Sequence, residues 1–334
     1  MSVSAILTCF NIERYIAAAI ESARTALAGR EGEIIVVDDC STDGSAAIIQ
    51  SYGDVTYLRT RTNGGVMLAT LDGIAAARFP ILAFLDGDDI WHADKLAEVE
   101  AAFASAPDIT LVTHDLEYVD ASGRPLPTVT RPGRSLARVP QALWSEHLRQ
   151  SVLQQRDDIW LGSALSVHRD RGRISEFAAL IRARVDASEL YQDWPMAAWL
   201  AVQPGARFAY IPRKLFGYRL HGANHSGDVA TAARAKRNFE RARNTLRAMA
   251  DITASAGQCH AQLRSRLALA EAQASLYAGR KCSALSWFAR SLSGLVSRPA
   301  SLAKETFRLA ALGLMGVERG HALTRRIGRA GLYP

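Results

Sequence analysis

Ile81-Leu82-Ala83-Phe84-Leu85-Asp86-Gly87-Asp88-Asp89 runs five apolar residues straight into three carboxylates, with a glycine after the first. The apolar run follows Pro80 and reads as a strand buried on both faces, the pattern of a parallel sheet. Its acidic tip falls where such a strand leaves the sheet, the edge at which open α/β sheets bind ligands. Crowded carboxylates repel: a pair about 4 Å apart costs roughly 1 kcal/mol in water and about 4 at an effective dielectric near 20. A solvated acidic turn absorbs the smaller cost. A divalent cation turns the repulsion into binding, because hard cations take oxygen ligands. The stretch is therefore read as a site for a metal and a phosphate, with Asp86 and Asp88 as metal ligands.

Upstream, strands and helices alternate. Ser4 to Phe10 reads as a strand, and Asn11 opens a helix to about Leu27 whose Ile16, Ala19, Ile20, Ala23 and Leu27 share one face. Glu33 to Val37 is a second strand, ending in Asp38-Asp39-Cys40-Ser41-Thr42-Asp43-Gly44, with a helix from Ala46. Val55 to Arg59 is a third strand, and Asn63-Gly64-Gly65 turns into a helix from Val66 to about Ala77. This order predicts a doubly wound sheet. Each strand ends in polar residues, and four such ends on one edge make a nucleotide site. A dinucleotide-binding glycine fingerprint and a P-loop are both missing after the first strand, where Thr8-Cys9-Phe10-Asn11 stands.

Four blocks carry a resemblance: Thr8-Cys9-Phe10-Asn11, Val36-Val37-Asp38-Asp39-Cys40-Ser41-Thr42-Asp43-Gly44, Asn63-Gly64-Gly65 and Leu85-Asp86-Gly87-Asp88-Asp89. Together they resemble the inverting glycosyltransferases of family 2, over roughly residues 1 to 225. The resemblance implies an α/β GT-A fold, a nucleoside-diphosphate sugar donor, a UDP-sugar foremost, and Mn²⁺ or Mg²⁺. It implies that Asp39 reads the pyrimidine base, with Thr8, Phe10 and Asn11 lining the same pocket. Asp38 is a ribose contact or a loop cap. Asn63, Gly65 and Gly87 line the donor site, Asp86 also reaches the ribose, and Asp89 supports the tip or touches the donor sugar. Two departures stand out: the family often has Ala-Arg-Asn where Ala69-Thr70-Leu71 stands, and Glu-Asp where Gln192-Asp193 stands.

Inverting transfer also needs a base for the acceptor hydroxyl, on an element apart from the tip. Asp193, before a helix read as starting at Pro195, is the candidate; helix capping is its alternative role. Tyr218-Arg219-Leu220-His221-Gly222-Ala223-Asn224-His225-Ser226 resembles the family segment that closes over the diphosphate. It makes Arg219 a phosphate contact and His221 a metal ligand. Between these blocks, a helix is read from Ile90 to Phe103, a strand over Ile109 to Thr113, an acceptor-side loop over Arg124 to Arg138, and a helix over Gln141 to Gln155. Trp160 to Val167 returns to the sheet.

The expected domains are a catalytic domain over 1–227 and a helical region over 228–334, with helices at Ala230–Ala256, Gln258–Ala278 and Lys281–Val296. Ala272 to Pro299 resembles one tetratricopeptide-type hairpin. Its helices can pack on the catalytic domain or on a second copy of the chain. Nine of the 40 Lys/Arg and two of the 33 Asp/Glu fall from Lys281 onward, leaving 31 of each before it. A neutral catalytic part needs no nucleic acid; a basic end with apolar residues over Leu302 to Val317 suits peripheral contact with an anionic inner leaflet and a lipid-linked acceptor. The N-terminal apolar run is broken by Asn11, Glu13 and Arg14, and the cysteines form no Cys-x-x-Cys pair, so a cytoplasmic protein without a spanning helix is expected. The leading function is transfer of a sugar to a glycan or lipid-linked acceptor. The competing classes are a catalytically silent nucleotide-sugar binding module, which needs no base, and a nucleotidyltransferase, which needs a basic glycine-rich phosphate loop.

Overall fold

A computed structural model of the chain describes residues 1–127, 140–153, 162–221, 232–257 and 261–295. The chain falls into two compact units, one of residues 1–150 and 158–228, the other of 151–157 and 229–334.

The first unit is built on one mixed sheet. Strands β1 (Val3–Cys9), β2 (Gly32–Asp38), β3 (Val55–Arg59) and β4 (Ile81–Asp86) are parallel neighbours in the order β3-β2-β1-β4. β7 (Ser166–His168) pairs antiparallel to β4 and to β6 (Ile109–Val119). β8 (Arg207–Arg219) runs parallel to β6, and β5 (Ile90–Trp91) closes the edge antiparallel to β8. Helices α1 (Ile16–Leu27), α2 (Ser45–Gln50), α3 (Gly65–Ala76) and α4 (Lys95–Ser105) connect the first strands; α5 (Trp144–Leu153), α6 (Ile174–Arg182) and α7 (Asp193–Val202) follow.

The uninterrupted apolar runs have a simple cause: β1, β2 and β4 lie in the sheet's middle, where both faces are covered. Ile6, Leu7, Ile35, Val36, Ile81 and Leu82 are all essentially inaccessible. The register then fixes the site. Thr8 lies level with Asp86, Cys9 with Asp38, and Asp38 with Arg59, so the polar strand ends line one edge.

Several boundaries differ from the sequence reading. The helix expected over Ile90 to Phe103 is a two-residue strand followed by α4, because Ile90 and Trp91 pair with Gly217 and Phe216. The strand expected over Ile109 to Thr113 continues to Val119 along β8. β8 itself and α6 went unread. The helix at Gln141 opens with a 3-10 turn, Gln141–Leu143. Residues 128–138, Trp160, the segment from Gly222 to Ser226 with His225, and the basic end over Leu302 to Val317 lie outside the described residues.

The second unit contains α8 (Ala232–Ser255), α9 (Ala261–Tyr277) and α10 (Lys281–Leu295). Arg247 donates to Glu271 at 2.6 Å, Phe239 meets Tyr277 edge-on at 5.1 Å, and the Ser265 hydroxyl donates to the Ser291 carbonyl at 2.5 Å. α9 turns into α10 at Gly279, whose φ of 72° suits glycine. Among the described residues, no helix is long and apolar enough to cross a membrane.

Candidate active site

The acidic tip is a turn pressed against the end of β1. Gly87 donates its N–H to the Thr8 carbonyl at 3.0 Å, and a Cβ at Gly87 would lie 2.7 Å from that oxygen and 2.6 Å from Ile12. Only glycine fits this close backbone approach. The Asp89 N–H donates back to the Asp86 carbonyl at 2.9 Å, which tightens the turn.

Each carboxylate then meets a different environment. Asp86 Oδ1 accepts a 2.7 Å bond from the Gln192 amide, and the Asp86 N–H donates to Ser163 Oγ at 3.0 Å. Burial, then the charges of Asp88 and Asp193, push the Asp86 carboxyl up to about 7, against bonds from Gln192 and Thr8 that favour its charged form. Asp88 Oδ2 lies 3.0 Å from His221 Nε2, and the His221 ring packs on Tyr15 at 4.4 Å. Asp89 is 1% exposed; it accepts the Ser163 hydroxyl at 2.6 Å and the Arg219 backbone N–H at 3.0 Å. Burial, then Asp88 and Asp86, raise its carboxyl well above the ordinary range. Asp89 is thus tied to both Ser163 and the end of β8.

Arg219 reaches the tip from the end of β8. Its guanidinium donates to the carbonyls of Asp88 at 2.6 Å and Ala121 at 2.9 Å, and lies over the Tyr15 ring at 5.0 Å. It is 2% exposed, so in this conformation it fastens the turn from behind.

The edge expected to take the nucleotide is organised by the two aspartates after β2. Asp38 is fully buried. It accepts the Ser41 N–H at 2.8 Å, the Tyr57 hydroxyl at 3.0 Å and the Arg59 guanidinium at 3.0 Å, which makes it a loop cap. Asp39 clamps the start of α3: it accepts the Thr60 hydroxyl at 3.0 Å and the N–H groups of Gly64 and Gly65 at 2.8 and 2.7 Å. Gly65 has a φ of 79° and passes so close to the Ser188 carbonyl that a Cβ would lie 2.3 Å from it. Asn11, in the left-handed region at φ 52°, accepts the Thr42 N–H at 2.7 Å. Phe10 is 39% exposed beside it, Asn63 is exposed in the turn, and Thr8 lies at the β1 end facing Asp86.

Asp193 is the first residue of α7, with Gln192 at the N-cap, two residues earlier than the sequence reading placed the helix start. Pro195 therefore sits in the first turn, where its missing N–H costs nothing. Asp193 Oδ1 accepts the Trp194 N–H at 2.9 Å, and its charge is felt at Asp86. Gln192, its neighbour, makes the physical link to the tip.

Sequence reasoning passed over Gln192, Thr70 and Lys95 as site residues, and gave Ser163 no part in the tip. The Thr70 hydroxyl bonds the Gln192 carbonyl oxygen, while the Gln192 amide holds Asp86. The two departures from the family pattern thus touch each other. That pairing was the available signal, hidden by their separation along the chain.

The set Asp86, Asp88 and His221 converges on the turn without forming a ligand cage. Among the described residues, no three His, Cys, Asp or Glu side chains stand together in a metal-holding cluster. His221 and Asp88 are instead hydrogen-bonded to one another. The donor chemistry of carboxylate oxygens and an imidazole fits Mg²⁺ or Mn²⁺.

A parallel half-sheet continued by mixed strands, with an acidic turn at its carboxyl edge, defines a GT-A type fold. Residues 4–159 match the family model described as glycosyl transferase family 2. It is 28% identical over 244 residues to an uncharacterised glycosyltransferase of Nostoc sp., covering 70% of this chain and 69% of that one. It is 34% identical over 157 residues to the succinoglycan biosynthesis protein ExoO of Rhizobium meliloti, covering 45% and 43%. Among solved structures, S. aureus TarS 1–349 in complex with UDP-GlcNAc matches at a TM-score of 0.56 and 15% identity, over 100% of this chain and 93% of that one. The mannosyltransferase PcManGT of Pyrobaculum calidifontis, in complex with GDP-Man and Mn²⁺, matches at 0.51 and 17%, over 97% and 83%. These likenesses establish the fold.

Proposed function

We propose that the chain is a metal-dependent inverting glycosyltransferase that moves a sugar from a nucleoside diphosphate, a uridine donor foremost, to a glycan or lipid-linked acceptor. Residues 1–227 form the catalytic part. The observation that carries this reading is the placement of Asp193 beside Gln192, which bonds directly to Asp86 of the acidic tip. One carboxylate group then faces the donor's diphosphate while another, on a separate helix, is available to the acceptor.

Asp88, His221 and Asp86 would hold Mn²⁺ or Mg²⁺, which when bound neutralises the charge growing on the leaving diphosphate. The nucleotide lies along Thr8, Phe10, Asn11 and the Asp39 clamp, with Asn63 and Gly65 at its far side and Gly87 letting it approach the tip. Asp193 takes the proton of the acceptor hydroxyl as that oxygen attacks the anomeric carbon from the face opposite the diphosphate. Arg219 and Asp89 keep the turn in place. A related TarS structure holds UDP-GlcNAc and a mannosyltransferase holds GDP-Man, which supports a nucleoside-diphosphate sugar as the donor class.

Donor hydrolysis across a panel of nucleotide sugars, with and without Mn²⁺, tests the reading. Turnover of one UDP-sugar that requires the metal is expected; metal-independent hydrolysis would remove the acidic tip from the metal site.

A further inference from the structure

The Lys95 side chain, in the first unit, is wholly inaccessible to solvent. A buried ammonium is costly unless it is hydrogen-bonded and compensated. Its surroundings are specific. From the first turn of α4, Nζ donates to the Ser163 carbonyl at 2.6 Å, lies 3.0 Å from His114 Nε2 on β6, and stands 4.4 Å from the centre of the Trp91 ring on β5. The Trp91 indole N–H donates to the same Ser163 carbonyl at 3.3 Å. His114 is itself oriented by a 2.8 Å bond between Nδ1 and the Asp115 carbonyl.

Ser163 is where this buried cluster meets the tip. Its hydroxyl donates to Asp89 at 2.6 Å and accepts the Asp86 N–H at 3.0 Å. Two donors, Lys95 and Trp91, therefore fix the backbone of the residue whose side chain fixes two of the three aspartates. Burial lowers the Lys95 ammonium well below its ordinary range, and the Asp89 charge pulls it back, so the lysine and the tip sense one another electrostatically.

We propose that Lys95 is a positioning residue for the acidic tip, acting through Ser163 to hold Asp86 and Asp89 in the arrangement that receives a metal-bound diphosphate. It touches neither donor nor metal. The proposal rests on the reading of the tip as a metal and diphosphate site, and its test separates the two. A partner one step removed from a metal ligand changes metal affinity by about tenfold to a hundredfold when lost.

The experiment measures UDP binding calorimetrically to the full chain, once with Mn²⁺ and once with EDTA, for the native protein and for Lys95→Met. Methionine keeps the length and removes the donors. For the native protein, Mn²⁺ is expected to strengthen UDP binding. For Lys95→Met, that enhancement is expected to fall about tenfold while binding in EDTA stays unchanged. A general loosening of the fold weakens both measurements together, and that result would overturn a positioning role. An enhancement as large as the native protein's would also overturn it and leave the donor site standing. No enhancement in the native protein would overturn the reading of the tip itself. Where Lys95→Met does not fold, Ser163→Ala, which removes only the hydroxyl link, is judged by the same two outcomes.

Discussion

Asp39 holds three donors at once, and Asp39→Asn disturbs them without changing the side chain's shape. In the native protein, one oxygen serves the Thr60 hydroxyl and the Gly64 N–H, at 3.0 and 2.8 Å, and the other serves the Gly65 N–H at 2.7 Å. An asparagine can keep the first oxygen, but its amide then points an N–H at the N–H of Gly65. One charge-assisted bond is lost outright, worth about 1.5–3 kcal/mol, and the others become neutral ones. The glycine cannot escape by swinging toward Ser188, whose carbonyl already crowds it. In a domain of this size each kcal/mol moves the melting temperature by roughly 2–4 °C, so the ligand-free variant is expected to melt roughly 4–10 °C lower. Differential scanning calorimetry without nucleotide reads this directly. An unchanged melting temperature, with weaker UDP binding, would refute the clamp and leave Asp39 as a base contact only.

Other expectations concern groups away from the tip. Cys9 is 2% exposed and burial pushes its thiol up to about 12, so maleimide at neutral pH should label exposed Cys282 in the native protein and reach Cys9 only after denaturation. Equal labelling rates would contradict the packing at the end of β1. Burial alone would push the Glu33 carboxyl up, but bonds from the Arg78 N–H, the Ser4 hydroxyl and the Arg78 guanidinium outweigh it and hold it below its ordinary 4.5. A lowered carboxylate stabilises the fold fully above the unfolded value and loses that contribution as pH falls through the folded one. Glu33→Gln should therefore melt lower at neutral pH and lose part of the acid-side slope below about pH 4.5; a slope identical to the native protein's would count against the ion pair.

Much of the fold was legible because of where particular strands sit. β1, β2 and β4 are covered on both faces, so their sequences are apolar without alternation, and the polar residue that ends each run marks the sheet edge. β8 was not legible for an equally physical reason. Pro212 and Arg213 interrupt it, and they fall in the register shift between Ile211 and Lys214, where a bulge excuses the missing proline donor. Trp91 was read into a helix because its strand has two residues and its partner, Phe216, lies far along the chain.

The site divides in the same way. Asp86, Gly87, Asp88 and Asp89 announced themselves by local chemistry, and Gly87 is needed where β1 comes within contact distance. Ser163, Lys95, Thr70 and Gln192 carry no motif of their own. Their meaning is tertiary: a serine under two aspartates, a lysine under the serine, and a threonine–glutamine pair against Asp86. Arg219 and His221 were found by motif, yet the structure gives the arginine a fastening role that spacing alone did not suggest.

The division of labour between the acidic tip and α7 is tested most directly with Asp193→Asn. Sugar transfer from the active UDP-sugar and Mn²⁺-dependent UDP binding are measured on the same preparation. Loss of transfer with UDP binding retained is the result the account predicts; near-native turnover by Asp193→Asn would contradict it.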